Sequence, residues 1–184
     1  MSPWLVQMQS PLLTDGLDRF LQRSEIEASP AWEFIRGEAQ QKPMSTLFHS
    51  RLQRNLVNAI NKQTGDYEAI QELRCIVPPF SPVPDIAVVK GDRLGEDGPL
   101  VGAPDWLIEI LSPDQNILSL QTKILHCLTQ ETKLAWLIDI YRQQIWVWNR
   151  ESLPLIYQGS DNPPTLDNLL TLTVDEVIAL TRQR

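Results

Sequence analysis

The sequence predicts a mixed α/β fold in which a central mixed sheet is flanked by helices, and three features carry this prediction. Short segments rich in β-branched and aromatic residues, such as 85–90, 105–111 and 134–140, are typical of strands. Two longer segments, 45–62 and 116–130, repeat apolar residues at helical spacing. Their order along the chain, β, α, βββ, α, ββ, indicates that the helices pack on one sheet.

Each of the two predicted helices carries an apolar stripe and a residue that can cap its start. In the first helix the stripe consists of Phe48, Leu52, Leu56 and Ile60. In the second it consists of Leu120, Ile124, Cys127 and Leu128. Ser45 is the candidate cap of the first helix, and Asp114 or Asn116 that of the second, because short polar side chains accept hydrogen bonds from the free N–H groups there.

Two hairpins are predicted. Residues 32–40 have the pattern of a hairpin that turns near Gly37, and 134–140 with 144–148 predict a second one. The other predicted elements are an amphipathic helix within 11–28, a strand over 67–77, an edge strand over 153–157 and a short helix within 166–182. Trp136, Trp146 and Trp148 alternate along the second hairpin, which fits either core packing or a dimer surface.

The length of the chain, 184 residues, suits a single domain with a sizeable core. We expect one domain over 1–184, with an N-terminal helical extension over 1–30, a core over 31–157 and a tail over 158–184 that contains a short helix. The 42% of hydrophobic residues is typical of a globular chain rather than a disordered one.

Charge and composition exclude several classes of protein. The net charge of −7 counts against constitutive, non-specific binding of nucleic acid, which favours a basic surface. Two cysteines far apart, Cys75 and Cys127, form no CxxC motif, and with only two histidines they argue against a structural zinc site. No apolar run has the length of a membrane helix and no signal peptide is recognisable, so we predict a cytoplasmic protein.

Glu109 is the acid that stands out by its surroundings. It lies inside the apolar segment 106–111 (WLIEIL), which has the pattern of a central strand covered on both faces. A carboxylate buried there is costly unless it is paired, protonated or bound to a metal. The alternative to a functional role is a structural ion pair, with Arg36 or Arg74 as the candidate partner.

Asp85 and Lys123 are candidate site residues that become informative only in combination. Asp85 starts a strand directly after Pro84, and the ends of strands are where active sites of α/β sheets collect, although Asp85 taken alone is better explained as a common turn or cap aspartate. Lys123 lies within or beside the apolar stripe of the second helix, where the alternative is a lysine that extends past a packed face to solvent. Together, two carboxylates at neighbouring strand ends can hold Mg²⁺, and a nearby lysine can orient water or stabilise a phosphate.

At this point the motifs resemble a known family, the Uma-two family of bacterial proteins described as endonucleases with a restriction-endonuclease-like fold, within the PD-(D/E)XK superfamily. The resemblance covers about residues 30–150. The motifs that carry it are 32–38 (WEFIRGE), the helix with His49, 83–89 (VPDIAVV), 104–113 (PDWLIEILSP), Lys123 and 135–139 (AWLID).

The resemblance implies roles for four residues. Asp85 is the metal-binding aspartate of the Pro-Asp half-motif and Glu109 the acid of the second half-motif. The usual lysine position, two residues after that acid, is Leu111 here, and Lys123 fits the branches whose lysine has moved to the following helix. His49 is implied as an accessory residue, and an ordinary histidine at the edge of a helix is the equal alternative.

The chain also departs from the family at three places around the second helix. Ser119 stands where the family often has Asp, Cys127 where it often has Tyr, and 131–133 (ETK) where it commonly has a glycine-containing turn.

The first functional hypothesis, which follows from the resemblance, is a Mg²⁺- or Mn²⁺-dependent endonuclease that acts on DNA and forms a homodimer. The second is a catalytically degenerate nuclease fold that acts as a binding or interaction module, which the departures and the acidic balance favour.

Overall fold

A computed structural model of the chain describes residues 11–63, 65–150 and 153–184. Its helices are α1 Pro11–Leu21, α2 Leu47–Asn61, α3 Ile117–Thr129 and α4 Val174–Ala179. Its strands are β1 Trp32–Ile35, β2 Glu38–Gln41, β3 Tyr67–Gln71, β4 Cys75–Ile76, β5 Ile86–Lys90, β6 Leu100–Val101, β7 Trp106–Ile110, β8 Leu134–Asp139, β9 Gln144–Trp148 and β10 Leu155–Gln158. None of the described helices is long and apolar enough to cross a membrane.

The centre of the fold is a six-stranded sheet in the order β10-β9-β8-β7-β5-β3. β7 and β8 run parallel, with α3 as their connection, and the other neighbours are antiparallel. A parallel pair needs such a crossover, because both strands start at the same end of the sheet and the chain has to return to that end before the second strand begins. The predicted mixed α/β class with a central mixed sheet is confirmed.

Helices cover both faces of the sheet, which is why its central strands are apolar on both sides. α2 and α4 pack on one face through Leu52, Leu56, Ile60, Val174 and Val177, against Ile86, Val88, Trp106, Ile108, Ile110, Trp136 and Ile138. α3 packs on the other through Leu120, Ile124 and Cys127, against Ala87, Val89, Leu107, Ala135, Leu137 and Trp148. Trp136 and Trp148 are fully buried, so these two tryptophans serve the core.

The β1–β2 hairpin forms a separate small sheet with its own apolar cluster. Phe34 packs with Leu17 and Phe20 of α1 and with Ile26. The hairpin turns at Arg36 and Gly37, which both have positive φ, a conformation that glycine adopts without steric cost. Main-chain hydrogen bonds between Phe34 and Ser81 in both directions fix the hairpin to the segment that precedes β5.

Most predicted elements are confirmed, and the differences have local causes. α2 begins at Leu47, with Thr46 rather than Ser45 as its cap. α3 has Asn116 as its cap, one of the two candidates. The predicted strand over 67–77 is broken at Glu72, whose φ of 49° takes the chain out of the extended conformation. The division of the chain at residues 30 and 157 stays a prediction.

Candidate active site

The sheet register brings Asp85 to the end of the strand that carries Glu109. β5 and β7 are antiparallel and Ile86 pairs with Ile108, so the residue that precedes β5 lies beside the carboxyl end of β7. Asp85 Oδ2 accepts a hydrogen bond of 2.7 Å from the main-chain N–H of Ile110. Both acids are almost fully buried, with 2% and 1% of their surface exposed.

Lys123 reaches the same place from α3. Residues of β7 alternate between faces, and Glu109 follows Leu107 on the face that α3 covers. The Lys123 ammonium lies 2.7 Å from Glu109 Oε1 and donates a hydrogen bond of 2.8 Å to Glu33 Oε1. Lys123 is therefore a buried ion-pair partner, and it does not extend to solvent as the alternative interpretation of its helix position required.

A second lysine, Lys42, holds Asp85. It follows β2 directly and its ammonium donates hydrogen bonds of 2.7 Å to Asp85 Oδ1 and 2.8 Å to the main-chain oxygen of Val83. Glu33, from β1, accepts a hydrogen bond of 2.7 Å from the Val83 N–H. The β1–β2 hairpin thus supplies one cation and one carboxylate to the cluster.

α2 contributes the last two side chains. His49 Nε2 lies 3.4 Å from Asp85 Oδ1, and neither ring nitrogen has an aligned hydrogen-bond partner among the described residues. One helical turn later, Gln53 donates a hydrogen bond of 2.6 Å to the main-chain oxygen of Asp85. His49 is therefore beside the acids, and its ring nitrogens are available for another partner.

Charge within this cluster does not balance. Glu33, Asp85 and Glu109 are three buried carboxylates, and Lys42 and Lys123 are two buried ammonium groups. When all five are ionised and His49 is neutral, one negative charge is left in excess. Because an unpaired buried charge is costly, the excess has to be met by a proton or by another cation.

The excess negative charge affects the pKa of Glu109 more than that of Asp85. Burial and the neighbouring Asp85 charge raise the pKa of Glu109 to about 7, although Lys123 acts in the opposite direction. Burial also disfavours the ionised form of Asp85, but the Lys42 charge and the contacts with His49 and Lys42 outweigh it and lower the pKa of that carboxyl. Burial opposes the charged form of Lys123, and the Glu109 and Glu33 carboxylates overcome it and raise the pKa of the ammonium.

A pocket of about 270 Å³ opens next to the cluster. Lys42, Lys123 and Glu33 line its inner side, and the start of α3 contributes Asn116 and Ser119. Asp85 and Glu109 do not line it, whereas Lys42 and Lys123, which pair with them, do. A ligand in the pocket would therefore lie next to the two lysines that pair with Asp85 and Glu109.

The donor set fits a hard divalent cation. Mg²⁺ is commonly held by one or two carboxylates and several waters, so Asp85 and Glu109 suffice. Glu109 Oε1 has no aligned hydrogen-bond donor among the described residues, although Lys123 is in ion-pair contact with it. No group of three or more His, Cys, Asp or Glu side chains that could hold a metal occurs in the described part of the chain. The fit therefore rests on the carboxylate pair and the excess negative charge.

The structure brings all four predicted site residues together, and it adds two that sequence reasoning missed. Lys42 and Glu33 contact Asp85 and Lys123 respectively. The suggestion that Arg36 or Arg74 pairs with Glu109 is wrong. Lys123 occupies that place, while Arg74 pairs with Glu27 and donates to main-chain oxygens near the hairpin.

Comparison with known proteins gives one family. The model of the Uma2 family, written Uma-two above and described as "Putative restriction endonuclease", matches residues 17–179. A crystal structure titled as a putative nuclease belonging to DUF820 from Anabaena variabilis superposes with a TM-score of 0.82 at 34% identity, covering 90% of this chain and 98% of that one. No curated protein matches this chain. Because the family model spans most of the sequence, the chain belongs to the Uma2 family of restriction-endonuclease-like proteins.

Proposed function

We propose that the chain is a metal-dependent endonuclease that hydrolyses phosphodiester bonds in DNA, with Asp85, Glu109 and Lys123 at its centre. The family and the similar solved structure support a nuclease-like function. Restriction-endonuclease-like families generally use divalent metals. The observation that carries the proposal is the buried cluster itself, where two carboxylates from adjacent strands and a helix lysine meet with one negative charge in excess.

Each residue has a role that follows from its contacts. Asp85 and Glu109 would hold Mg²⁺ or Mn²⁺, and the ion would supply Lewis acidity and a more acidic bound water. Lys123 is a fixed positive charge at the boundary between Glu109 and the pocket, where it can orient the attacking water or stabilise negative charge on the phosphate. His49 is an accessory residue that can hydrogen-bond to a water or to Asp85 through its ring nitrogens.

A plasmid-cleavage assay tests this proposal. Wild-type protein is expected to nick supercoiled DNA with Mg²⁺ or Mn²⁺ and to stop in EDTA. Glu109→Gln removes one charge without changing shape and is expected to lower the rate by about 100-fold or more, the scale of losing one electrostatic stabiliser. The matched control, Glu68→Gln, makes the same change on an exposed residue of β3 in the same sheet and should keep the wild-type rate.

Two results would contradict the proposal. One is cleavage by the wild type that persists in EDTA. The other is a Glu109→Gln variant as active as the Glu68→Gln control. Either result would remove the carboxylate pair from the mechanism.

The second candidate, a catalytically degenerate nuclease fold that acts as a binding module, is favoured by one observation. Both carboxylate oxygens of Asp85 already accept hydrogen bonds, from Lys42 and from the Ile110 N–H. Because these contacts satisfy Asp85, this carboxylate needs no metal for stability. Calorimetry separates the candidates, because the degenerate protein is expected to bind no Mg²⁺ or Mn²⁺ at millimolar concentration.

Three further features belong to the proposal. They are DNA rather than RNA as the substrate, a homodimer and a cytoplasmic location. Parallel cleavage assays on DNA and RNA of one sequence test the first, and light scattering coupled to gel filtration tests the second. Equal rates on both nucleic acids, or a monomer at all concentrations, would overturn the corresponding feature.

A further inference from the structure

We propose that Lys42 is a phosphate-binding residue, which neutralises Asp85 in the metal-free protein and turns its ammonium to the substrate phosphate when Asp85 binds a divalent cation. This inference rests on the proposed function and extends it by assigning the pocket to a phosphodiester group. It gives the site two lysines, one on α3 and one after β2.

The position of Lys42 carries the inference. Its ammonium contacts Asp85 Oδ1 and the main-chain oxygen of Val83 and lies 3.8 Å from the solvent-exposed Glu72 carboxylate, and Lys42 also lines the pocket. Lysine is a compact point charge with three donors on a flexible stem, so it can exchange one partner for another without a change in the backbone. A short movement of the ammonium away from Asp85 would bring it into the pocket that it already borders.

Charge balance indicates what the pocket would receive. With three carboxylates and two ammonium groups, the metal-free cluster has one excess negative charge. A divalent cation at Asp85 and Glu109 converts this to one excess positive charge. A phosphodiester carries a single negative charge and would make the loaded site neutral, with His49 neutral and the exposed Glu72 solvated.

The lining of the pocket suits the same class. Lys42 and Lys123 are the two cations on its wall, and Gln40, Asn116 and Ser119 add neutral groups that can hydrogen-bond to phosphate oxygens. Asp114 is a carboxylate at the rim and is exposed to solvent, where water screens its charge.

The test measures binding rather than cleavage. A short fluorescent single-stranded DNA is titrated with protein, once in EDTA and once in Ca²⁺, a hard cation that also takes oxygen ligands. We expect Ca²⁺ to strengthen binding by the wild type. Lys42→Met is expected to weaken binding by about tenfold or more in Ca²⁺, which is about the value of one charge-assisted phosphate contact. In EDTA, where Lys42 pairs with Asp85 instead, the loss is expected to be less than about twofold.

Two further variants keep the test decisive. Lys42→Gln retains donors for both Asp85 and Val83 and serves if Lys42→Met does not fold; it should show the same cation-specific loss. Lys90→Met is the matched control, because Lys90 is exposed at the far end of β5, about 17 Å from Asp85 at 3.3 Å per residue. This control should bind DNA as the wild type does.

The outcomes separate the inference from the function that it rests on. Wild-type binding with no loss in either Lys42 variant, or equal loss in EDTA and Ca²⁺, overturns the role of Lys42 and leaves the proposed function intact. A wild type that binds no DNA in either buffer overturns both. A loss that appears only with Ca²⁺, and not in Lys90→Met, supports the inference.

Discussion

The chain contains two Pro-Asp dipeptides that precede strands of one sheet, and the structure gives the two aspartates different surroundings. Asp85 precedes β5 and Asp105 precedes β7. Because these strands are antiparallel, the two residues lie at opposite ends of the sheet. Both side chains are buried, with 2% and 4% exposed, so burial alone does not distinguish them.

Their partners do. Asp105 accepts a hydrogen bond of 2.9 Å from the Lys90 N–H and pairs with Arg93 at 3.1 Å and Lys133 at 3.6 Å. Both cations are partly open to solvent, and Arg93 also pairs with the exposed Glu131. The Asp105 carboxylate is therefore fully paired, in a network that is open to solvent.

Asp85 is paired with a lysine that is itself buried, and it lies beside a second buried acid. Lys42 holds its Oδ1, and the Asp85 charge helps to raise the pKa of Glu109. In this chain, the two Pro-Asp aspartates therefore differ in their neighbours: Asp85 lies among a second buried acid and buried lysines, whereas Asp105 is paired with partly exposed cations.

The largest difference is expected in stability. Asp85→Ala leaves the buried Lys42 without its carboxylate and should lower the free energy of unfolding by about 3–5 kcal/mol, the usual result of breaking a buried pair. Asp105→Ala should cost about 1–2 kcal/mol, because its cations can turn to water. Urea unfolding measures both, and equal losses would contradict the distinction.

A smaller effect is expected in the pH dependence of stability. The pKa of Glu109 is raised to about 7, so from about pH 5 to 7 the folded protein binds more protons than the unfolded chain. The Glu109 contribution is fully present below its ordinary pKa and is lost as the pH rises through about 7. In this range the free energy of unfolding should fall with pH by on the order of 1 kcal/mol per unit.

Glu109→Gln should remove this slope, and Glu68→Gln should keep it, because Glu68 is exposed. Urea unfolding at several pH values gives the measurement. A slope that survives in Glu109→Gln would assign the proton to another group and would contradict the account of excess charge.

The smallest effect is expected at the other end of the sheet. Lys133 is 44% exposed and lies 3.6 Å from Asp105. Lys133→Met should change the free energy of unfolding by less than about 1 kcal/mol, since exposed ion pairs contribute little. Thermal unfolding in low and high salt measures it, and a loss of several kcal/mol would make the Asp105 network as critical as the Asp85 cluster.

The fold was largely predictable because periodicity and turn residues are local signals. The helices with stripes through Leu52 and Ile124 and the strands around Glu109 follow from spacing alone. The break at Glu72 was not predictable, because its positive φ depends on how the chain turns from β3 towards β4.

The candidate site was predictable in part. Glu109 stands out as an acid in an apolar strand, and the motif order connected Asp85, Lys123 and His49 to it. Glu33 also had the pattern of an acid on an apolar strand face, because alternate residues of a strand point to the same side and Glu33 shares its side with Ile35. Lys42 carried no such signal: it follows a polar strand as a surface lysine would, and its partner Asp85 is 43 residues away.

We propose that Asp85 and Glu109 form a metal centre and that Asp105 does not. Anomalous scattering from a crystal soaked in Mn²⁺ tests this most directly. The account predicts a Mn²⁺ peak in contact with the Asp85 and Glu109 carboxylates, and its absence in a Glu109→Gln crystal soaked in the same way. A peak at Asp105, or no peak at Asp85 and Glu109 under conditions that saturate other Mn²⁺ sites, would contradict it.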